Sequence, residues 1–163
     1  MSETNTLIAA LENAPGIIIP LIREVPPQYL KRRPSPAKWS AYEHACHIAT
    51  PIEPFLARLE LMLAAPLAPP APLPFIRSIA PSPEEESGAL LNEDLDEALD
   101  RYVTERADLV MRLKGLSAED WQQTAEHEAF RQYSVWIMFR HVLNHEMLHT
   151  YRIEELLLKK DWQ

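Results

Sequence analysis

The spacing of apolar residues constrains the fold of this sequence most strongly. Apolar residues recur at steps of three and four in long segments, which places them on one face of an α-helix. Segments with this spacing predict helices over residues 4–24, 40–62, 92–114 and 134–160. The chain has only three glycines in 163 residues, which leaves little for the tight turns of β-hairpins. The sequence therefore predicts an all-α fold.

Prolines mark the places where these helices are expected to be irregular. A proline inside a helix removes a backbone N–H donor and clashes with the preceding turn. We expect Pro15 and Pro20 to bend or split the first helix, and Pro51 and Pro54 to kink the second.

The second helix has a defined start in the sequence. Ser40 and Glu43 have the S-x-x-E spacing of a capping box, in which each side chain satisfies a backbone N–H group of the first turn. The helix is therefore predicted to begin there.

A proline-rich segment over residues 66–83 separates the second and third helices. Its seven prolines favour extended backbone, while Phe75, Ile76 and Ile79 make it too apolar for a free linker. We expect it to lie across the helices as a long crossover. The architecture predicted is a single domain over residues 1–163, folded as a four-helix bundle with this crossover between helices 2 and 3.

Composition excludes several classes of function. The formal net charge of −8 gives no basic face for nucleic acid. The single cysteine, Cys46, makes no internal disulfide, which is compatible with a reducing compartment. The first residues, MSETNTLIAA, lack the basic start of a signal peptide, and the nearby GIIIPLI is too short and interrupted to span a bilayer. We expect a cytoplasmic protein without nucleic-acid or membrane partners.

The stretch HEMLH in the last helix is the main candidate for a functional site. His145 and His149 are four residues apart, so both imidazoles lie on one side of the helix and can reach one metal ion. Glu146 falls on the apolar stripe, where a carboxylate is costly unless it is paired or close to a cation. Helix-edge residues without metal are the alternative interpretation.

The same letters are typical of zinc peptidases, in which two histidines and a third ligand hold zinc. In the metzincin pattern, Arg152 would stand at the glycine position and Glu155 at the third histidine. The pattern therefore fails, and a peptidase is not expected.

A third ligand from another helix is geometrically easier. His44 and His47 in the second helix each precede a stripe residue by one position, as His145 does in the last helix. Helical spacing alone does not choose between them. Cys46 points roughly 100° away from His47 and fits a small buried hydrophobe better than a ligand.

Two motifs resemble the DinB-like (DinB/YfiT) family of metalloenzymes. They are KWSAYEHACHIA, which contains Trp39, Ser40 and His47, and HEMLHTYRI, which contains His145 and His149. The resemblance spans nearly the whole chain. It implies a four-helix bundle with a metal site formed by His47, His145 and His149, and it selects His47 over His44. It also implies zinc, nickel or iron as the ion.

The resemblance also implies a function, because characterised members include thiol-dependent S-transferases and isomerases. The leading hypothesis is a transferase or hydrolase whose metal activates a small-molecule thiol or water for reaction with a small-molecule substrate. Glu146 is the candidate catalytic residue, as a base or as a partner of a ligand imidazole. An ion pair between Glu146 and Arg106 is the alternative. A non-catalytic metal- or ligand-binding bundle is the second hypothesis for the chain, and a homodimer is expected.

Overall fold

The chain folds mainly into α-helix, as a computed structural model of residues 2–64, 73–77 and 88–160 shows. The helices are α1 (Glu3–Glu24), α2 (Pro27–Leu30), α3 (Ala41–Ile48), α4 (Glu53–Leu63), α5 (Leu95–Lys114), α6 (Ala118–Gln122) and α7 (Val135–Leu158). A 3-10 helix over Ala89–Asn92 precedes α5. Two short strands, β1 (Phe75–Ile76) and β2 (Glu126–His127), pair in parallel. The all-α prediction is confirmed.

Four helices form the bundle, because α1 and α3 each contact both α5 and α7. Their apolar faces build a core in two clusters. The first cluster includes Ile18, Ala45 and Ile153, and the second includes Leu11 and Phe139. The buried apolar residues of α3 all belong to the first cluster.

Helix α1 runs unbroken through Pro15 and Pro20, so the predicted split does not occur. Pro20 is exposed and Pro15 is half-buried, while Leu11 and Ile18 face the core. Carbonyl groups freed near the solvent side of a helix can bond to water, so the helix tolerates both rings.

Length and composition alone would let α1 cross a membrane, and among the described helices it is the one that meets this test. Its buried face contacts α5 and α7, which is the packing of a bundle helix.

The second predicted helix is divided into α3 and α4 rather than kinked. The N–H and hydroxyl groups of Thr50 both donate to the carbonyl oxygen of His47, at 3.2 Å and 2.6 Å. Pro51 has no N–H to continue the helix, and Pro54 lies in the first turn of α4. His47 therefore lies in the last turn of α3, beside the break.

The predicted capping box at the start of α3 is confirmed. Ser40 accepts a hydrogen bond from the backbone N–H of Glu43, and Glu43 accepts one from that of Ser40. The fully buried Glu43 carboxylate also pairs with Arg33, whose Nε donates to both carboxylate oxygens, at 2.9 Å and 3.1 Å. Burial raises the pKa of Glu43, but the Arg33 and Ser40 hydrogen bonds outweigh this effect and hold the pKa below 4.5.

Glu43→Gln is expected to lower the free energy of unfolding at pH 7 by about 2–3 kcal/mol, because it removes hydrogen bonds to a charged group. A carboxyl group whose pKa is lowered on folding stabilises the protein above its unfolded pKa and loses this contribution as the pH falls. The difference between wild type and variant should therefore shrink below about pH 4.5. Urea unfolding at several pH values measures it. A difference that is independent of pH would contradict the assignment.

Most of the predicted crossover lies outside the described residues, including Ile79. In the described part, Ile76 is buried, while Phe75 is exposed. The backbone of Glu126 donates to the carbonyl of Pro74 at 2.9 Å, and that of Glu128 donates to the carbonyl of Ile76 at 3.0 Å. Residues 73–77 are thus held against the segment that precedes α7.

Candidate metal site

Three histidine side chains converge between α3 and α7. Nε2 of His145 lies 3.2 Å from Nε2 of His47 and 3.1 Å from Nε2 of His149. The candidate ligand atoms of the three residues all lie within 4.8 Å of one another. Two imidazole nitrogens bound to one tetrahedral zinc ion would be about 3.3–3.4 Å apart, given bond lengths of about 2.0–2.1 Å. The predicted three-histidine set therefore fits a metal ion.

Secondary structure positions each ring. His145 and His149 lie one turn apart on α7, and His47 lies in the last turn of α3 opposite them. Trp39, just before the capping box, packs against the rings, with centroid distances of 4.9 Å to His47 and 5.8 Å to His149. The indole and the two helices together fix the ring orientations.

The protonation state of the rings also suits metal binding. Burial lowers the pKa of His145 to about 4, with a contribution from nearby His47 and His141. Burial lowers the pKa of His149 to about 3, and the neighbouring histidines add to this effect. Both imidazoles are therefore neutral at pH 7, and a neutral imidazole offers the lone pair that a metal ion binds.

His44, the competing candidate for the third ligand, belongs to the same cluster. It contacts Nδ1 of His149, however, and not the Nε2 atom that faces His145. Its Nδ1 lies 2.8 Å from Nδ1 of His149, so one ring donates and the other accepts, depending on the tautomers. His149 thus has Nε2 directed to the candidate metal position and Nδ1 bonded to His44. A hydrogen bond to the second ring nitrogen of a metal-binding histidine fixes the tautomer and the orientation of the ring.

His44→Ala is expected to lower zinc affinity about 10- to 100-fold without changing the stoichiometry, because the ligand His149 loses its orienting partner. Competition with a chromophoric chelator measures the affinity. His44→Asn is the matched control, since its amide can still bond to the imidazole, and it should recover part of the loss. Unchanged affinity in His44→Ala would show that the contact is incidental.

Glu146, the candidate catalytic residue, is buried and faces α5. It forms an ion pair with Arg106, and the hydroxyl of Tyr102 donates to its other oxygen at 3.2 Å. Burial raises the pKa of the carboxyl group, while the Arg106 and Tyr102 contacts oppose this. Both oxygens therefore have partners on α5, as in the Arg106 alternative. Tyr102 was not predicted as a site residue, although Tyr102 and Arg106 are four residues apart and so share a helix face.

The remaining cysteine and histidines lie outside the cluster. Burial raises the pKa of the Cys46 thiol to about 12, so the group is neutral at pH 7. His127 is half-buried, and its Nδ1 accepts a hydrogen bond from the backbone of Ala129 at 3.0 Å. His141 is exposed on α7.

A cavity of about 550 Å³ opens beside the cluster. His47 and His145 form part of its wall, and so do residues 50–54, which span the end of the break between α3 and α4 and the start of α4. The break after α3 therefore makes room for a small molecule next to two of the three candidate ligands.

The fold and the site together define a four-helix bundle with a candidate three-histidine metal centre between α3 and α7. A family model for the DinB superfamily matches residues 10–153. The chain therefore belongs to the DinB superfamily, as its motifs predicted.

One solved structure with the same fold is YfiT from Bacillus subtilis, which is described as a probable metal-dependent hydrolase with an unusual four-helix bundle topology. The TM-score is 0.77 over 100% of this chain and 91% of that chain, with 15% sequence identity. The likeness confirms the fold. Comparison with curated proteins gave no match.

Proposed function

We propose that the chain is a metal-dependent enzyme that activates a small-molecule thiol or water for transfer or hydrolysis. The observation that carries the proposal is the convergence of His47, His145 and His149, with His47 and His145 in the wall of a cavity. A divalent ion with three protein ligands keeps a free position and lowers the pKa of a water or thiol bound there. The likeness to YfiT supports the assignment to metal-dependent enzymes, because YfiT is described as a probable metal-dependent hydrolase.

The residues of the chain have separate roles in this proposal. The three imidazoles hold the ion as neutral donors, and His44 orients His149. The cavity admits the substrate and limits its contact with bulk water. Glu146 is engaged by Arg106 and Tyr102, which favours a role in holding α7 to α5 over direct proton transfer.

A non-catalytic metal-binding bundle is the competing function. A structural zinc site is closed by four protein ligands, whereas the described residues bring together three histidines as a candidate ligand group. The adjacent cavity is a second feature that a purely structural site does not need. Both observations favour the enzyme.

The nature of the ion and the setting of the protein belong to the same proposal. Imidazole donors suit zinc, nickel or iron. The acidic net charge of −8 argues against nucleic acid as a partner. We infer a homodimer from the family resemblance, and a cytoplasmic location from the single cysteine, which makes no internal disulfide.

The function is tested by assaying zinc-, nickel- and iron-loaded protein with a panel of small thiols and an electrophilic acceptor, and with activated esters for hydrolysis. Turnover should require the ion and should be lost in His149→Ala. Turnover that persists in His149→Ala would contradict the proposal. A metal-loaded protein that is inactive with every thiol and ester would favour the non-catalytic bundle.

A further inference from the structure

The break between α3 and α4 leaves backbone groups that the two helices cannot pair. Ala49, the C-cap residue of α3, is fully buried, and Ile52, the N-cap residue of α4, has no polar side chain to cap its helix. Carbonyl and N–H groups at helix ends have no partner within the helix, and burying them unpaired is destabilising. The break therefore needs hydrogen-bond partners from another part of the protein.

Helix α5 supplies these partners. Nη2 of Arg101 donates to the carbonyl oxygen of Ala49 at 3.1 Å, and Oε2 of Glu105 accepts a hydrogen bond from the backbone N–H of Ile52 at 2.9 Å. Arg101 and Glu105 are four residues apart and so share one face of α5. Both side chains are half-buried. These two residues, called the α5 clamp below, therefore hold the break on both sides.

The α5 clamp acts close to the candidate ligand His47. His47 lies two residues before Ala49, and its carbonyl oxygen accepts hydrogen bonds from the N–H and hydroxyl groups of Thr50. Pro51, which follows, has a ring that fixes φ and so stiffens this short path to Ile52. Ligand distances in a metal site tolerate deviations of only about 0.2 Å. A small shift of the break is therefore enough to move the His47 imidazole out of range of the ion.

The neighbouring residues of α5 hold the helix that carries the other two ligands. Tyr102 and Arg106 both bond to Glu146, which directly follows His145 on α7. The three candidate ligands lie on α3 and α7, and none of them lies on α5. One helix without a ligand thus contacts both helices that carry ligands, through side chains that alternate along its length.

We propose that Arg101 and Glu105 are positioning residues for the metal site, because their hydrogen bonds to the break place the His47 imidazole opposite His145 and His149. The inference rests on the proposed function, since it concerns the same metal site. Glu105 and Ile52 also line the cavity, so the hydrogen bond between them shapes the space beside the ion as well.

Variants of Glu105 separate its hydrogen bond from its charge, with zinc affinity measured by competition with a chromophoric chelator. Glu105→Ala removes the acceptor and should lower the affinity about tenfold. Glu105→Gln loses the charge but keeps an oxygen that accepts from Ile52, so its affinity should stay within about twofold of wild type. Asp108→Ala removes a carboxylate at an exposed position of the same helix and should leave the affinity unchanged.

Arg101→Met tests the other half of the α5 clamp, because it keeps an apolar stem but removes the donor to Ala49. Zinc affinity should again fall about tenfold. Bound zinc stabilises the folded protein according to its affinity, so the increase in unfolding midpoint on adding zinc should be smaller in both clamp variants than in wild type. A purely structural role would destabilise the zinc-free and zinc-loaded proteins equally.

The ring nitrogens of the histidines give a measurement that needs no metal. In zinc-free protein Nε2 of His47 lies 3.2 Å from Nε2 of His145, so displacement of one ring changes the nitrogen chemical shifts of both. Two-dimensional NMR of 15N-labelled protein should show this change in Glu105→Ala and Arg101→Met. The spectrum of Glu105→Gln should resemble that of wild type.

Any one of three results would overturn the inference. Glu105→Gln could weaken zinc binding as much as Glu105→Ala, both clamp variants could lose equal stability with and without zinc, or the ring nitrogen signals of both could match wild type. A wild-type protein that takes up no zinc, nickel or iron would sink the proposed function, while the ring nitrogen spectra still decide the role of the α5 clamp. Full zinc affinity in both clamp variants would sink this inference alone.

Discussion

Replacing any one of His47, His145 and His149 by alanine is expected to remove stoichiometric zinc from the purified protein. Removal of one of three ligands should cost about 4 kcal/mol of binding free energy, or roughly 1000-fold in affinity, which is more than the loss expected for His44→Ala. The effect should be nearly the same for all three residues, because their ligand atoms face one position. Elemental analysis after gentle purification without chelator measures the metal content per chain.

His141→Ala is the matched control for this series. His141 lies one turn before His145 on the same helix, but it is exposed and outside the cluster. The variant should keep its zinc. Loss of zinc from His141→Ala, or retention of full zinc in His149→Ala, would show that the ion is held elsewhere.

Glu146→Ala is expected to destabilise the fold by about 3–5 kcal/mol, because it leaves Arg106 charged and buried without a partner. This is a large part of the total stability of a typical domain, about 5–15 kcal/mol. Chemical denaturation measures the change. Glu154→Ala, at an exposed position on the same helix, should have little effect.

The double variant Arg106→Met with Glu146→Leu tests the physical reason for that loss. Removing both charges avoids the unpaired ion, so the double variant should be more stable than Glu146→Ala alone. In Glu146→Gln, stability, metal content and turnover are each compared with those of the wild type. Unchanged stability and metal content with lost turnover would contradict the structural role and support the carboxylate as a base.

The helices could be predicted from apolar spacing because burial of one face dominates their stability. Predicted ranges such as 92–114 and 134–160 differ by only a few residues from α5 and α7. The spacing of apolar residues could not predict which prolines would interrupt a helix. Pro20 is tolerated because it faces solvent, whereas Pro51 coincides with a helix end that Thr50 caps, and only the tertiary structure shows this difference.

The candidate site was partly visible in the sequence. The spacing of His145 and His149 indicated a shared helix face, but spacing on α3 left His44 and His47 equivalent. The choice depends on how α3 is rotated against α7, which sets the ring nitrogen that each histidine presents. The cavity was not predictable at all, because it depends on the helix break at residues 49–52 and on its packing against α5 and α7.

X-ray absorption spectroscopy at the zinc edge of the zinc-loaded protein measures which atoms hold the ion. An open three-histidine site should show three imidazole ligands at about 2.0–2.1 Å and at least one further light-atom ligand from solvent. The same spectrum of His149→Ala should show fewer imidazoles or no bound zinc. A sulfur ligand at about 2.3 Å, four imidazoles, or a wild-type protein that takes up no zinc, nickel or iron would contradict an open three-histidine site.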